Sequence, residues 1–147
     1  MALTEVVNRF HDSGCNCAQS VFDTFASQFK LDPEQANQIA AAFGGGMGRT
    51  GMACGALTGA LMVLGLKFGP RMPSDQASKE LTYQKAREFI DRFRTQNGHT
   101  DCRHLINMDI STPEGWAKAK EGKVFSTICP RYLESAVTIL EEMLKGD

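Results

Sequence analysis

The chain has no Cys-x-x-Cys pair, no surplus of charge of either sign, and no apolar run long enough to span a bilayer. Sixteen Lys+Arg stand against seventeen Asp+Glu, a net charge of −1 over 147 residues. A protein that neutralises many phosphates needs a basic surplus, so nucleic acid is not an expected partner. The most apolar stretch, Ala53 to Leu66, carries Thr58 and falls short of the roughly 20 residues of a spanning helix. An integral membrane protein is therefore not expected. The amino terminus has an acid at Glu5 and no apolar core of signal-peptide length, so no secretion leader is expected and the chain reads as cytoplasmic. Without Cys-x-x-Cys, neither a thioredoxin-type dithiol nor a local zinc knuckle can be built. No Ser-His-Asp set or carboxylate pair can be argued from spacing. Strand-like alternation flanked by hairpin turns is also missing.

What the chain does have is helical periodicity, 14 glycines and five cysteines. At 16.1 kDa it is one domain's worth, able to bury roughly 68–70% of its unfolded surface. Ala18, Val21, Phe22, Phe25, Ala26 and Phe29 follow the i, i+3, i+4, i+7 pattern of a helix. Asp32-Pro33, Ser74-Asp75 and Thr112-Pro113 read as helix starts, and Gly98 reads as a stop. Leu133, Ala136, Val137, Leu140 and Leu144 line one face of a last helix, from Pro130 to Lys145. The expectation is an all-α, single-domain bundle over residues 1–147. It has about seven helices by periodicity, with a central small-residue-rich helix from about Met52 to Lys67. Gly51, Gly55 and Gly59 recur every fourth residue there, a smooth stripe that lets another backbone approach. Its partner is either another helix of this chain or a symmetry mate, which would make a homodimer.

Four of the cysteines share a setting. Cys17 precedes a helix, Cys54 sits where a glycine loop gives way to one, Cys102 follows Gly98 and Asp101, and Cys129 stands immediately before Pro130. At a helix start, free amides and the positive end of the macrodipole favour thiolate over thiol, so Cys17 and Cys54 are expected to have lowered pKa values. Cys15 shares a turn with Cys17 and reads as a passenger. In a reducing compartment such cysteines point to metal or redox chemistry more than to structural disulfides. The segment Phe43 to Gly51 matches G-x-G-x-x-G at Gly46, Gly48 and Gly51. That fingerprint needs a preceding strand, and here an Ala-rich helix precedes it. A Walker A reading fails on spacing and on Arg49 in place of lysine. The loop is instead read as conformational: glycines permit positive φ and close approach over a buried site. Gly44, Gly45, Gly46, Gly48 and Arg49 are thus the candidate cofactor-binding residues, with Arg49 a further positive charge for the thiols. His104 could add a ligand, although a capping or solvent-facing role suits it better, and Trp116 reads as a packing anchor.

Asn16-Cys17-Ala18-Gln19-Ser20-Val21, the loop Phe43 to Gly51, Cys54-Gly55-Ala56-Leu57-Thr58-Gly59 and the isolated Cys102 and Cys129 together resemble the C_GCAxxG_C_C family. These are small proteins of about this length to which a redox role is ascribed, often encoded near transporter genes. The resemblance puts the family's four cysteines on Cys17, Cys54, Cys102 and Cys129, with Cys15 outside the pattern. It implies a four-cysteine site, and a related domain joined to a multihaem-type cytochrome implies an iron–sulfur cluster, with zinc the second choice. The expected function is electron transfer or redox sensing with an unidentified redox partner and a functional link to a transporter. The alternative is a metal-free thiol–disulfide oxidoreductase or redox switch using the same cysteines, which needs no cofactor.

Overall fold

The structure, a computed structural model, describes residues 2–146. It is 75% helical, and its only extended pairing among the described residues is a single antiparallel bridge between Ala53 and Asp101. The helices are α1 (Ala2–Asp12), α2 (Cys17–Ala26), α3 (Pro33–Ala40), α4 (Gly55–Phe68), α5 (Gln76–Asn97), α6 (Cys102–Leu105), α7 (Pro113–Glu121), α8 (Val124–Thr127) and α9 (Cys129–Lys145). The all-α expectation holds, but nine helices stand among the described residues rather than about seven. The two extra ones, α6 and α8, are single turns, too short for an apolar repeat to show.

The helix starts follow from their first residues. Asp32 accepts from the Gln35 amide at 3.1 Å, with Pro33 in the first turn, and Thr112 accepts from the Gly115 amide at 3.0 Å ahead of Pro113. Asp75 accepts from the Ser78 amide at 3.1 Å. Gly98 ends α5 in the left-handed region at φ 86°, a conformation that costs glycine nothing.

The central helix begins later than expected. Residues 52–54 are extended, and Cys54 caps α4 in place of Met52 opening it. From Gly55 to Ala60, and again at Val63, Leu64 and Phe68, α4 is buried, so it lies at the middle of the main core. Gly55 and Gly59 of the small-residue stripe face α2 of the same chain, whereas Gly51 lies before the helix at φ 76°, against Arg103. A Cβ at Gly59 would sit 2.7 Å from the Ala18 carbonyl oxygen, and one at Gly55 would sit 2.8 Å from the Ala18 nitrogen. The seat that a symmetry mate would need is thus filled by α2. A second, smaller core gathers Ile106, Ile110, Ala119, Cys102 and Cys129 beneath α6 and α7.

The glycine loop adopts a left-handed turn. Gly45, Gly46, Met47, Gly48 and Arg49 have φ of 65°, 72°, 68°, 63° and 65°. Such a turn costs an L-residue with a Cβ roughly 1–2 kcal/mol, so it is tolerated here mainly because three of the five are glycine.

A candidate four-cysteine site

Each of the four cysteines stands at a helix start, and packing brings those starts together. Cys17 opens α2 because Asn16 forms a capping box with Gln19. Asn16 Oδ1 accepts from the Gln19 amide at 2.9 Å, and Gln19 Oε1 accepts from the Asn16 amide at 3.0 Å. The glycine contact between α2 and α4 then sets Cys17 against Cys54, since a Cβ at Gly55 would lie 2.9 Å from the Cys17 Cβ. The short bridge brings in Cys102: the Cys102 amide donates to the Met52 carbonyl at 2.6 Å and the Cys54 amide to the Thr100 carbonyl at 2.8 Å. Gly46 closes over this junction, because a Cβ there would lie 2.6 Å from Met52 backbone atoms and 2.8 Å from the Cys102 Cβ. Cys129 opens α9, and Tyr132, one turn on, donates from its hydroxyl to the Leu105 carbonyl of α6 at 2.7 Å.

The four thiols interact electrostatically in every pairing. Cys54 belongs to the main core and Cys102 and Cys129 to the smaller one, while Cys17 packs against both. The Cys17 and Cys129 thiols are coupled: their interaction, with burial, raises the pKa of Cys17 well above the ordinary thiol value, and the same interaction lowers that of Cys129. All five cysteines are free thiols.

The expected lowering of Cys17 and Cys54 is overturned. Burial pushes Cys54 up to about 12, even though the Ala56 and Leu57 amides at the start of α4 pull the other way. Burial and the neighbouring Cys129 push Cys102 up to about 11. The magnitudes explain the outcome. A helix terminus contributes about 0.3–1 kcal/mol, less than one pKa unit, whereas burial can shift a pKa by several units. Nor does Arg49 supply charge to the thiols: its guanidinium lies 3.6 Å over the Trp116 ring.

A pH dependence follows. The folded-state pKa of Cys54 exceeds the unfolded value of 9.0, so its contribution to stability is complete below pH 9. It is lost as pH rises toward about 12, because the unfolded chain releases that proton first. Urea denaturation of metal-free protein is expected to show a midpoint that falls between pH 9 and 11. A midpoint that holds or rises over that range would show that Cys54 is not buried as a thiol.

The remaining candidates divide. Gly44, Gly45, Gly48 and Arg49 line a cavity of about 610 Å³ that also exposes Cys17 and Cys15, whereas Gly46 is buried on the Cys102 side. Cys15 is turned away from the four, its thiol 4.0 Å from Asp23 Oδ2 and 3.8 Å from Asn37 Oδ1. His104 stacks on His99, with ring centroids 4.8 Å apart, and lies 3.8 Å from Asp101 at the surface. Trp116 is half-buried and packs on Phe125 at 5.3 Å, but it also carries Arg49, a role wider than packing. Asn16 and Tyr132 are the positioning residues that periodicity overlooks. Asn-x-x-Gln ahead of an apolar run is a capping-box signal that marks the first, while the partner of Tyr132 is set only by tertiary packing.

Among the described residues, no three or more His, Cys, Asp or Glu side chains are arranged to hold one metal ion. A tetrahedral ion needs four sulfurs about 2.3 Å from a single point. A two-iron cluster takes two thiolates at each of its ends, so its ligands need not share a point. The donor set is sulfur alone, the soft ligand type that iron–sulfur clusters take.

A helical domain with four cysteines on four helix starts beside a glycine-rich left-handed turn is a defined class. The chain belongs to the C_GCAxxG_C_C family, whose model matches residues 15–143 and carries the description "putative redox-active protein". No curated protein and no solved structure matches the chain. Among the described residues, no helix is long and apolar enough to cross a membrane.

Proposed function

We propose that Cys17, Cys54, Cys102 and Cys129 form one redox centre that holds an iron–sulfur cluster for electron transfer or redox sensing. The observation that carries this reading is the packing of four helix starts against one another: Cys17 lies beside Gly55 at the start of α4, Cys54 and Cys102 are held by backbone bonds on either side of the Ala53–Asp101 bridge, and Cys129 shares the smaller core with Cys102 and Cys17. Grouping four thiols in apolar surroundings is costly to their charged forms: without a cation, Cys54 and Cys102 are protonated at neutral pH. Iron bound at this position would offset that cost, since a coordinating thiol gives up its proton outright. High pKa values therefore suit buried ligands and argue against Cys54 and Cys102 as free nucleophiles, which need thiolate near neutral pH. When bound, the cluster would supply one-electron transfer. The helix-start amides and the glycines, which admit backbone close to the sulfurs, are the chain's means of tuning it.

A second reading rests on the pairing of Cys17 with Cys129. Cys17 packs against the core that holds Cys129, and the two thiols are coupled, one pKa raised and the other lowered, the relationship of a dithiol that closes to a disulfide.

Protein purified without oxygen is expected to be coloured, with charge-transfer absorption in the visible that dithionite bleaches. Colourless protein with no iron, in which Cys17 and Cys129 form a disulfide under mild oxidation, would replace the cluster reading with the dithiol one.

A further inference from the structure

The cavity of about 610 Å³ beside the cysteine site has a composition that selects its occupant. Its volume falls within the roughly 300–1,000 Å³ of small-molecule sites. Its aromatic wall is Phe10, Trp116 and Phe125, and its cationic group is the Arg49 guanidinium, with no acid among its lining side chains. Arg49 stacks 3.6 Å over the Trp116 ring, and its backbone is set at φ 65° by the left-handed turn. A guanidinium held in this way presents its donors in a fixed fork, the arrangement that binds a carboxylate or other oxyanion in bidentate fashion. Cys17, also in the lining, carries the cavity wall through to the buried thiols, since it packs against the core that holds Cys102 and Cys129.

We infer that this cavity is a binding site for a small organic anion, one that sets an apolar or aromatic body against Phe10, Trp116 and Phe125 and its oxyanion on Arg49. The ligand touches Cys17 and so lies against the four-cysteine centre as the small-molecule partner of its chemistry. That last role rests on the redox reading of the centre; the binding itself does not.

The test uses 1-anilinonaphthalene-8-sulfonate, an aromatic sulfonate, and its uncharged analogue N-phenyl-1-naphthylamine, each titrated into the full chain. Fluorescence is followed from the probe and from Trp116, the single tryptophan. The sulfonate is expected to saturate at one molecule per chain and to quench Trp116 as it binds. Arg49→Met should weaken the sulfonate about tenfold and leave the neutral probe within about twofold, while Arg49→Lys, which keeps the charge but loses the fork, should fall between wild type and Arg49→Met. Melting curves followed by circular dichroism establish that both variants are folded. If Arg49→Met is unfolded, the wild-type chain decides: sulfonate binding should weaken with added salt while the neutral probe holds, and bound sulfonate should quench Trp116. Equal sulfonate binding by wild type and folded Arg49→Met, sulfonate binding indifferent to salt, or Trp116 emission unaffected by bound sulfonate would overturn the proposal. Iron content measured on the same preparations reports on the cluster independently, so loss of one reading does not mask loss of the other.

Discussion

Gly59→Leu is expected to be the most destabilising single substitution in the central helix, costing more than about 3 kcal/mol, the upper end of ordinary overpacking. Even the first carbon of a side chain would lie 2.7 Å from the Ala18 carbonyl oxygen and 3.2 Å from its Cα. Both neighbours are backbone, so no rotamer change relieves the clash and α2 must move off α4. Gly59→Ala gains about 1 kcal/mol of helix propensity, which the same backbone contact outweighs. The control lies on the same helix: a Cβ at Gly65 meets nothing within 4 Å, so Gly65→Ala should be neutral or stabilising by up to about 1 kcal/mol. Thermal melts of the three variants check this. A domain of this size loses about 2–4 °C per kcal/mol, so Gly59→Leu should melt roughly 10 °C below wild type. A Gly59→Leu protein melting with wild type would mean that the stripe does not carry the α2–α4 contact. Because that contact also seats Cys17 beside Cys54, any cluster bound at the site should be lost as the helices part.

The second large effect is expected at the cysteines themselves. Replacing Cys17, Cys54, Cys102 or Cys129 singly with serine exchanges a soft sulfur ligand for a hard oxygen that iron–sulfur clusters seldom accept. Each variant should lose most of the visible absorption of anaerobically purified protein while keeping its helical circular dichroism. Cys15→Ser should keep its colour, because the Cys15 thiol faces Asp23 and Asn37 rather than the other four. Full colour in Cys102→Ser would remove Cys102 from the centre, and loss of colour in Cys15→Ser would bring Cys15 into it.

Much of the architecture is legible in the sequence because long helices announce themselves. The apolar stripe of α9, the Asp32-Pro33 and Thr112-Pro113 starts and the Gly98 stop each rest on a local rule that tertiary packing does not overrule. The one-turn helix α8 stays hidden, since four residues carry no period. The bridge between Ala53 and Asp101 is hidden for the same reason: a single residue pair shows no alternation, yet it holds Cys54 next to Cys102 and delays the start of α4. At the site, the helix-start positions of the cysteines can be read from their neighbours, but their acidity cannot. Helix termini are a sequence signal, whereas burial is not known until the chain is packed, and burial is the larger effect at Cys54. The cavity is only half visible. Gly44, Gly45, Gly48 and Arg49 stand out as a loop, but the aromatic wall comes from α1, α7 and α8, which nothing local ties to it.

Iron and acid-labile sulfide, counted per chain in protein prepared and kept without oxygen, decide whether the four cysteines hold a cluster. One cluster held by all four predicts about two of each per chain for a [2Fe–2S] centre, with sulfide matching iron. Protein with neither, whose thiols at positions 17, 54, 102 and 129 all react with alkylating reagent once unfolded, would show that no cluster is bound there.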